Sequence, residues 1–311
     1  MASDEALPES QPAPDNGVLA IDPIYIPGQI PEIHDADGTP NPNRVGVNRS
    51  MITSNAKGLL VDVFPYLNSE AGDNIRIYTS LNPGTPLLSF NLQAGQENEI
   101  SHVFIPAHLL LMGFQTIWYV IIRDSNNWGE SDPLLVFIRV TLPGGTDPQP
   151  DRPGHYRLPG PTLLNVPAGG VTLELAQSAE GVQLSIPAYL NMRPWDVNAV
   201  FWGGYVFYVT VKPDQVGQAI VSKVPLEVIL AAGNGDHILT YRPHDEVHNI
   251  ASDHSLRTPV YVEVEVGLLR PVILEAVQVD PATGELFYDL SVVGTKDIQC
   301  DVVTRSPTFA V

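Results

Sequence analysis

The chain repeats itself. Tyr66-Leu67-Asn68 returns 123 residues later as Tyr189-Leu190-Asn191, and the alternating Leu59, Val61, Val63 before it returns as Val182, Leu184, Ile186 at the same offset. Asp73 returns as Asp196. Gly95-Gln96 returns as Gly217-Gln218, and Tyr119 returns 122 residues on as Tyr241. Pro133 with Val136, Ile138 and Val140 returns as Pro259 with Val262, Val264 and Val266, now at an offset of 126. Small drifts within an unchanged order place insertions in loops between segments that keep their pattern. The chain must therefore solve the same burial problem twice.

Alternation of apolar and polar residues with period two is the pattern of strands with one buried face. It predicts strands near 58–64, 74–80, 86–92, 98–105, 115–123 and 134–142 in the first unit. In the second it predicts them near 171–176, 181–187, 197–202, 205–211, 219–224, 237–242 and 259–267. Turn signals fill the gaps: Asn82-Pro83-Gly84, Lys212-Pro213-Asp214 and Asn126-Asn127-Trp128-Gly129. Short helical turns are expected near 107–112 and 226–231. About seven short strands per unit indicate a two-sheet sandwich, an all-β fold. The 29 prolines and 25 glycines suit many short elements joined by turns.

A third beginning follows. Leu268-Leu269-Arg270-Pro271 has the shape of Leu158-Pro159-Gly160-Pro161, and Asp297, Ile298, Cys300 and Val302 mirror Asp196, Val197, Ala199 and Phe201. The expected organisation is an acidic flexible tail over 1–17, a first domain over 18–142, a Pro/Gly linker over 143–158, a second domain over 159–267 and an incomplete third unit over 268–311. The linker prolines imply a semi-rigid connection. The third unit would be completed either by a longer chain or by another molecule, so self-association through residues 268–311 is expected through unpaired strand edges.

The segment from Tyr119 to Gly129, with Arg123-Asp124 and Asn127-Trp128, resembles a hairpin of bacterial immunoglobulin-like and fibronectin-type repeats. Gly72-Asp73 and the Tyr-Leu-Asn strand ends fit the same repeats. The resemblance covers roughly 55–142 and 159–266, and 268–311 weakly. It implies tandem Ig-like β-sandwiches with a partial third unit, in a surface or adhesin-like repeat protein of Gram-negative bacteria. A tyrosine at the place of Tyr119 or Tyr241 often bonds back across a sandwich corner.

Charge and cysteine content narrow the function classes. The formal charge of −19 repels phosphate backbones, so a nucleic-acid partner is excluded from the expectation, and anionic membranes are disfavoured. The single cysteine, Cys300, rules out an intrachain disulfide and a multi-cysteine zinc site. It lies in an alternating strand pattern, as a buried structural thiol would. The N-terminus, Met1 to Gly17, is acidic and lacks the apolar stretch of a secretory signal. Val103 to Ile122 carries no formal charge over 20 residues, but Pro106, His108, Gly113 and Gln115 argue against a membrane span.

Two clusters invite a metal. His244, His248 and His254 have the spacing of a metalloprotease zinc helix, with Asp245 where the general-base glutamate should stand and Ala251 in place of its glycine. Pro243 and the repeat place the cluster in a polar hairpin loop, where the histidines are incidental. Asp35, Asp37, Asn41 and Asn43 supply oxygens at alternating positions, as calcium loops do. Gly46 stands where the bidentate glutamate is needed, and an Asx/Gly/Pro turn accounts for the segment. No catalytic, cofactor-binding or metal residue is therefore assigned. Trp128, Trp195 and Trp202 are candidate contact anchors or packing residues over the sandwich ends.

The expected function is a non-enzymatic structural or adhesive repeat protein that meets a protein or glycan partner outside the cell. The alternatives are a fibre or decoration component of a phage or injection machine, and a toxin fragment or metal-dependent enzyme built on the histidine loop.

Overall fold

The eight strands of the first repeat are β1 (Arg44–Val47), β2 (Leu59–Val63), β3 (Asn74–Thr79), β4 (Leu88–Asn91), β5 (Ser101–Ile105), β6 (Gly113–Arg123), β7 (Asn126–Glu130) and β8 (Leu134–Ile138). Those of the second are β9 (Thr162–Leu163), β10 (Val171–Thr172), β11 (Gln183–Ile186), β12 (Val197–Trp202), β13 (Tyr205–Thr210), β14 (Ile220–Lys223), β15 (Gly235–His244) and β16 (Thr258–Glu263). The computed structural model describes residues 21–264, 278–279 and 286–287. The expected tail over 1–17, Cys300 and, apart from two short strands, the third unit with its proposed self-association lie outside the described residues. Those strands, β17 (Gln278–Val279) and β18 (Leu286–Phe287), pair antiparallel in the unit Val266–Val311. Both eight-strand repeats belong to the unit Met1–Glu265.

Each repeat forms two sheets. In the first, β2 pairs with β5, and the larger sheet runs β1-β8-β6-β3-β4 with β7 added on β6. In the second, the sheets are β14-β11-β9 and β10-β16-β15-β12-β13. The two larger sheets share their wiring. The opening strand runs parallel to the closing one, Val45 beside Val136 and Val171 beside Val262, and both of those partners are 126 residues apart. The fold is all-β, of the immunoglobulin and fibronectin sandwich type.

Alternation places the core. Val61 and Ile105 from the small sheet meet Ile75, Ile77, Ile117, Tyr119 and Val136 from the large one. In the second repeat Leu184, Ile186 and Ile220 meet Val200, Trp202, Leu239, Tyr241 and Val262. These side chains leave water on the inner faces of facing sheets, the arrangement that period-two patterning permits.

The structure corrects several local expectations. The strand expected over 171–176 ends at Thr172, whose hydroxyl accepts the Leu175 N–H and starts a short helix. The matching place in the first repeat does the same: Asn48 accepts the Met51 N–H and starts α1 (Arg49–Thr53), ahead of α2 (Leu173–Gln177). Val171, Leu173 and Leu175 alternate, but a capping hydroxyl at Thr172 offers the backbone a helical alternative. The stretch read as a turn over Asn126–Gly129 is strand β7, joined to β6 through Asp124 and Ser125, both with positive φ, as a tight hairpin needs. The helical turns near 107–112 and 226–231 are a 3-10 turn at Ala107–Leu109 and α3 (Leu226–Ala232). The uncharged stretch Val103–Ile122 runs from β5 through that turn into β6. No helix among the described residues is long and apolar enough to cross a membrane.

The two corner tyrosines differ. The Tyr119 hydroxyl donates to the Asp22 carbonyl at 3.1 Å, whereas the buried Tyr241 hydroxyl has no hydrogen-bond partner among the described residues. Tyr119→Phe is therefore expected to cost about 1 kcal/mol, and Tyr241→Phe to be neutral or stabilising. Urea midpoints of the two variants check the contrast.

Candidate functional site

The histidine cluster is not a zinc helix. His244 ends strand β15 opposite Val197. The chain then closes a short loop in which the Asp245 N–H donates to the Asn249 carbonyl and the His248 N–H to the Asp245 carbonyl. His248 has φ +62°. The rings of His244 and His248 stand 6.5 Å apart, but His254 packs on Phe201, where burial and the Arg242 charge lower its pKa. Asp245, at the general-base position of the motif, is fully buried and bonded to an arginine.

The Asp35 loop is likewise closed on itself. Asp35 accepts from Arg44 Nε at 2.5 Å and from Asn41 Nδ2 at 2.8 Å, and these donors hold its pKa below the ordinary value. Asp37 accepts the Thr39 N–H, and Asn41 the Asn43 N–H. Gly46 has a packing reason. A Cβ there would stand 2.6 Å from a Val247 methyl and 2.9 Å from an Ile33 methyl, so strand β1 meets the second repeat's loop only through glycine. No three His, Cys, Asp or Glu side chains gather as a metal-binding group among the described residues.

The tryptophans pack. Trp202 is fully buried in β12. Trp128 lies under the Arg123 guanidinium, 4.5 Å from its centre, and tilts against Tyr66. Trp195 stacks on His34 at 4.1 Å, joining the two repeats.

The polar chemistry of this chain concentrates at the ends of β3 and β12. In the first repeat Tyr66 donates to Asp73 at 2.6 Å, the Glu70 N–H donates at 3.0 Å, and Arg123 of β6 bonds both Asp73 oxygens and the Asn68 carbonyl. Burial pushes Asp73 up, but Arg123, Tyr66 and the Glu70 amide outweigh it and hold the carboxyl below its ordinary value. The second repeat rebuilds this socket 123 residues on. Tyr189 donates to Asp196 at 3.2 Å, the Arg193 N–H donates at 3.0 Å, and Asn191, left-handed like Asn68, offers its carbonyl.

One component changes. Arg123 corresponds to Asp245, an acid in the base's place. The guanidinium comes instead from Arg139, just beyond β8 of the first sandwich. Its Nη1 bonds Asp196 at 2.9 Å, its Nε faces Asp245 at 3.2 Å, and its Nη2 bonds the Asn191 carbonyl. Arg139 is 4% exposed and both carboxylates 0%. Burial pushes Asp196 up to about 6, partly offset by Arg139 and the Arg193 amide, with the Asp245 charge adding to the rise. Burial raises Asp245 too, against Arg139 and Asn249.

Further bonds close the joint. Asn249 donates to the Arg139 carbonyl at 3.0 Å and accepts the Arg49 N–H at 2.9 Å, and His34 pairs with Glu246. Ile33, Phe137 and Val247 form a small apolar cluster between the repeats. The segment after Arg139 lies along the second sandwich: the Gly144 N–H donates to the Leu190 carbonyl, the His155 N–H to the His254 carbonyl, and Leu158 is in the second core. Motif reading missed Arg139 and misplaced Asp245. The repeat offset held the signal, because it sets Arg123 against Asp245.

No protein-family model matches the sequence, and no curated protein does either. Among solved structures the chain is similar to a 1.5-MDa bacterial ice-binding adhesin, at 13% identity and TM-score 0.26 over 71% of this chain. The chain spans 60% of that adhesin structure. It is also similar to fibronectin(III)-like modules of Clostridium thermocellum CbhA, at 12% identity and TM-score 0.33, over 78% of this chain and 94% of that one. The adhesin domain of Epf from Streptococcus pyogenes matches at 9% identity and TM-score 0.23, over 68% and 78%.

Proposed function

We propose that this chain is a non-enzymatic structural or adhesive module, two Ig-type domains over 18–142 and 159–267 held as one stiff pair. The observation that carries the reading is the Arg139 bridge. A buried guanidinium shared by two domains suits a spacer that transmits position, and the polar groups that could suggest catalysis are tied into it or into turns. The reading assigns no metal, cofactor or catalytic residue.

The presenting surface is the outer face of the second sandwich. Val206 and Tyr208 on edge strand β13, with Ile238 and Tyr261, are exposed on that face. Val197 to Val211 carries no formal charge in a chain of net charge −19. Exposed aromatic rings on a rigid sheet suit stacking on sugar faces or a protein surface. The partner is thus a protein or a glycan, met outside the cell, as the resemblance to bacterial Ig-like repeats implies.

A glycan and matrix-protein array probed with the full chain tests this. Binding is expected, with at least about a tenfold loss in Tyr208→Ser/Tyr261→Ser, which corresponds to about 1.4 kcal/mol. Binding that survives the double variant would overturn the assigned surface, and hydrolysis or cleavage of an array component would overturn the non-enzymatic reading.

A further inference from the structure

The joint holds two buried carboxylates and one buried guanidinium, so it carries one negative charge too many. The neighbouring elements bring hydrogen-bond donors to the two carboxylates but no second cation among the described residues. From the turn before β12 come the Tyr189 hydroxyl and the Arg193 N–H, while the Arg193 guanidinium lies over Phe137. From the loop after β15 come the Asn249 N–H at 2.7 Å and its side-chain amide at 2.8 Å, both on Asp245. Glu246 on that loop pairs with His34, and Arg44 with Asp35. Arg139 alone ion-pairs with Asp196 and Asp245 among the described residues.

We propose that the cluster is a proton-binding site shared by the two domains, and that the proton settles on Asp196 and tightens the joint. This goes beyond the adhesive reading and does not depend on it. Asp245, held by two Asn249 donors besides Arg139, keeps its charge. The Val247 N–H adds a third donor to Asp245, whereas Asp196 has only the Tyr189 hydroxyl and the Arg193 N–H besides Arg139 and faces the Asp245 charge. A neutral carboxyl there still accepts from Arg139, and the cluster then balances. Separation returns both acids to water, where each ionises readily.

Asp196 binds its proton with a pKa of about 6 in the closed joint, above its ordinary 3.8. Closure therefore strengthens as pH falls through about 6, and the gain is complete below 3.8. An ordinary surface ion pair would do the opposite and fail in acid.

Distance measurement between spin labels at Thr85→Cys and Thr210→Cys, in a Cys300→Ser background of the full chain, separates the two. The distribution is expected to narrow on going from pH 8 to pH 5, with the closed population ratio rising about tenfold, the change one proton permits. Asp196→Asn, a stand-in for the protonated acid, should be narrow at both pH values. Asp245→Arg should restore the socket's own guanidinium, as in the first domain, expel Arg139 and broaden the distribution at both. A distribution that broadens in acid or does not change would overturn the proposal. So would an Asp196→Asn chain as broad as the parent at pH 8.

Discussion

Arg139→Met is expected to destabilise the second sandwich by about 3–5 kcal/mol, the usual consequence of stranding buried charge by removing its partner. Methionine keeps most of the stem and its packing, so the loss isolates the guanidinium. Two carboxylates with no exposure would remain without their cation, and the Asn191 carbonyl would lose its donor. Chemical denaturation followed by circular dichroism checks it, as a lower midpoint with an unchanged native spectrum. Arg139→Lys should recover little, because an ammonium cannot reach three acceptors set around a planar fork. Adding Asp196→Asn and Asp245→Asn to Arg139→Met should restore most of the stability, since neutral amides cost far less to bury unpaired. Arg123→Met is the internal control. Its side chain is 17% exposed and it leaves one buried carboxylate, Asp73 at 1%, where Arg139 leaves two at 0%, so water can reach the vacated end and the cost should be smaller.

That contrast shows what the sequence could and could not tell. The fold was readable because alternation is a local property: each inward valine or isoleucine announces its own face. Capping at Thr172 was not, since the same residues fit either period. The metal candidates failed for a different reason. Histidine spacing carries meaning only on a known backbone, and here Pro243 continues β15 before a left-handed turn at His248. The joint was half legible. The offset identifies Asp196 with Asp73 and Tyr189 with Tyr66, and it sets Asp245 against Arg123. Nothing local says that Arg139 fills the gap, because that contact joins residues 57 and 106 positions apart across two sandwiches.

The largest effect away from the joint should come from Trp202→Ala, about 3–5 kcal/mol, from lost burial and the cavity left behind. Trp202 sits on the inner face of β12 beside Leu239, fully buried. Its counterpart in the first sandwich, Thr79 beside Ile117, fills that place by donating to Gln115 instead. The second sandwich thus holds one large ring where the first holds a polar pair. The ring is not fully satisfied, since the indole N–H has no partner among the described residues. Trp202→Phe removes that donor and keeps much of the volume, so its cost should be a third of the alanine variant's or less. Trp202 lies six residues of extended strand from Asp196, about 20 Å. At that separation Trp202→Ala and Arg139→Met should add to within about 0.5 kcal/mol. Urea denaturation of the single and double variants gives the sum, and a marked departure from it would mean that core and joint are one cooperative structure, with the proton site built into the second sandwich's folding rather than laid on top of it.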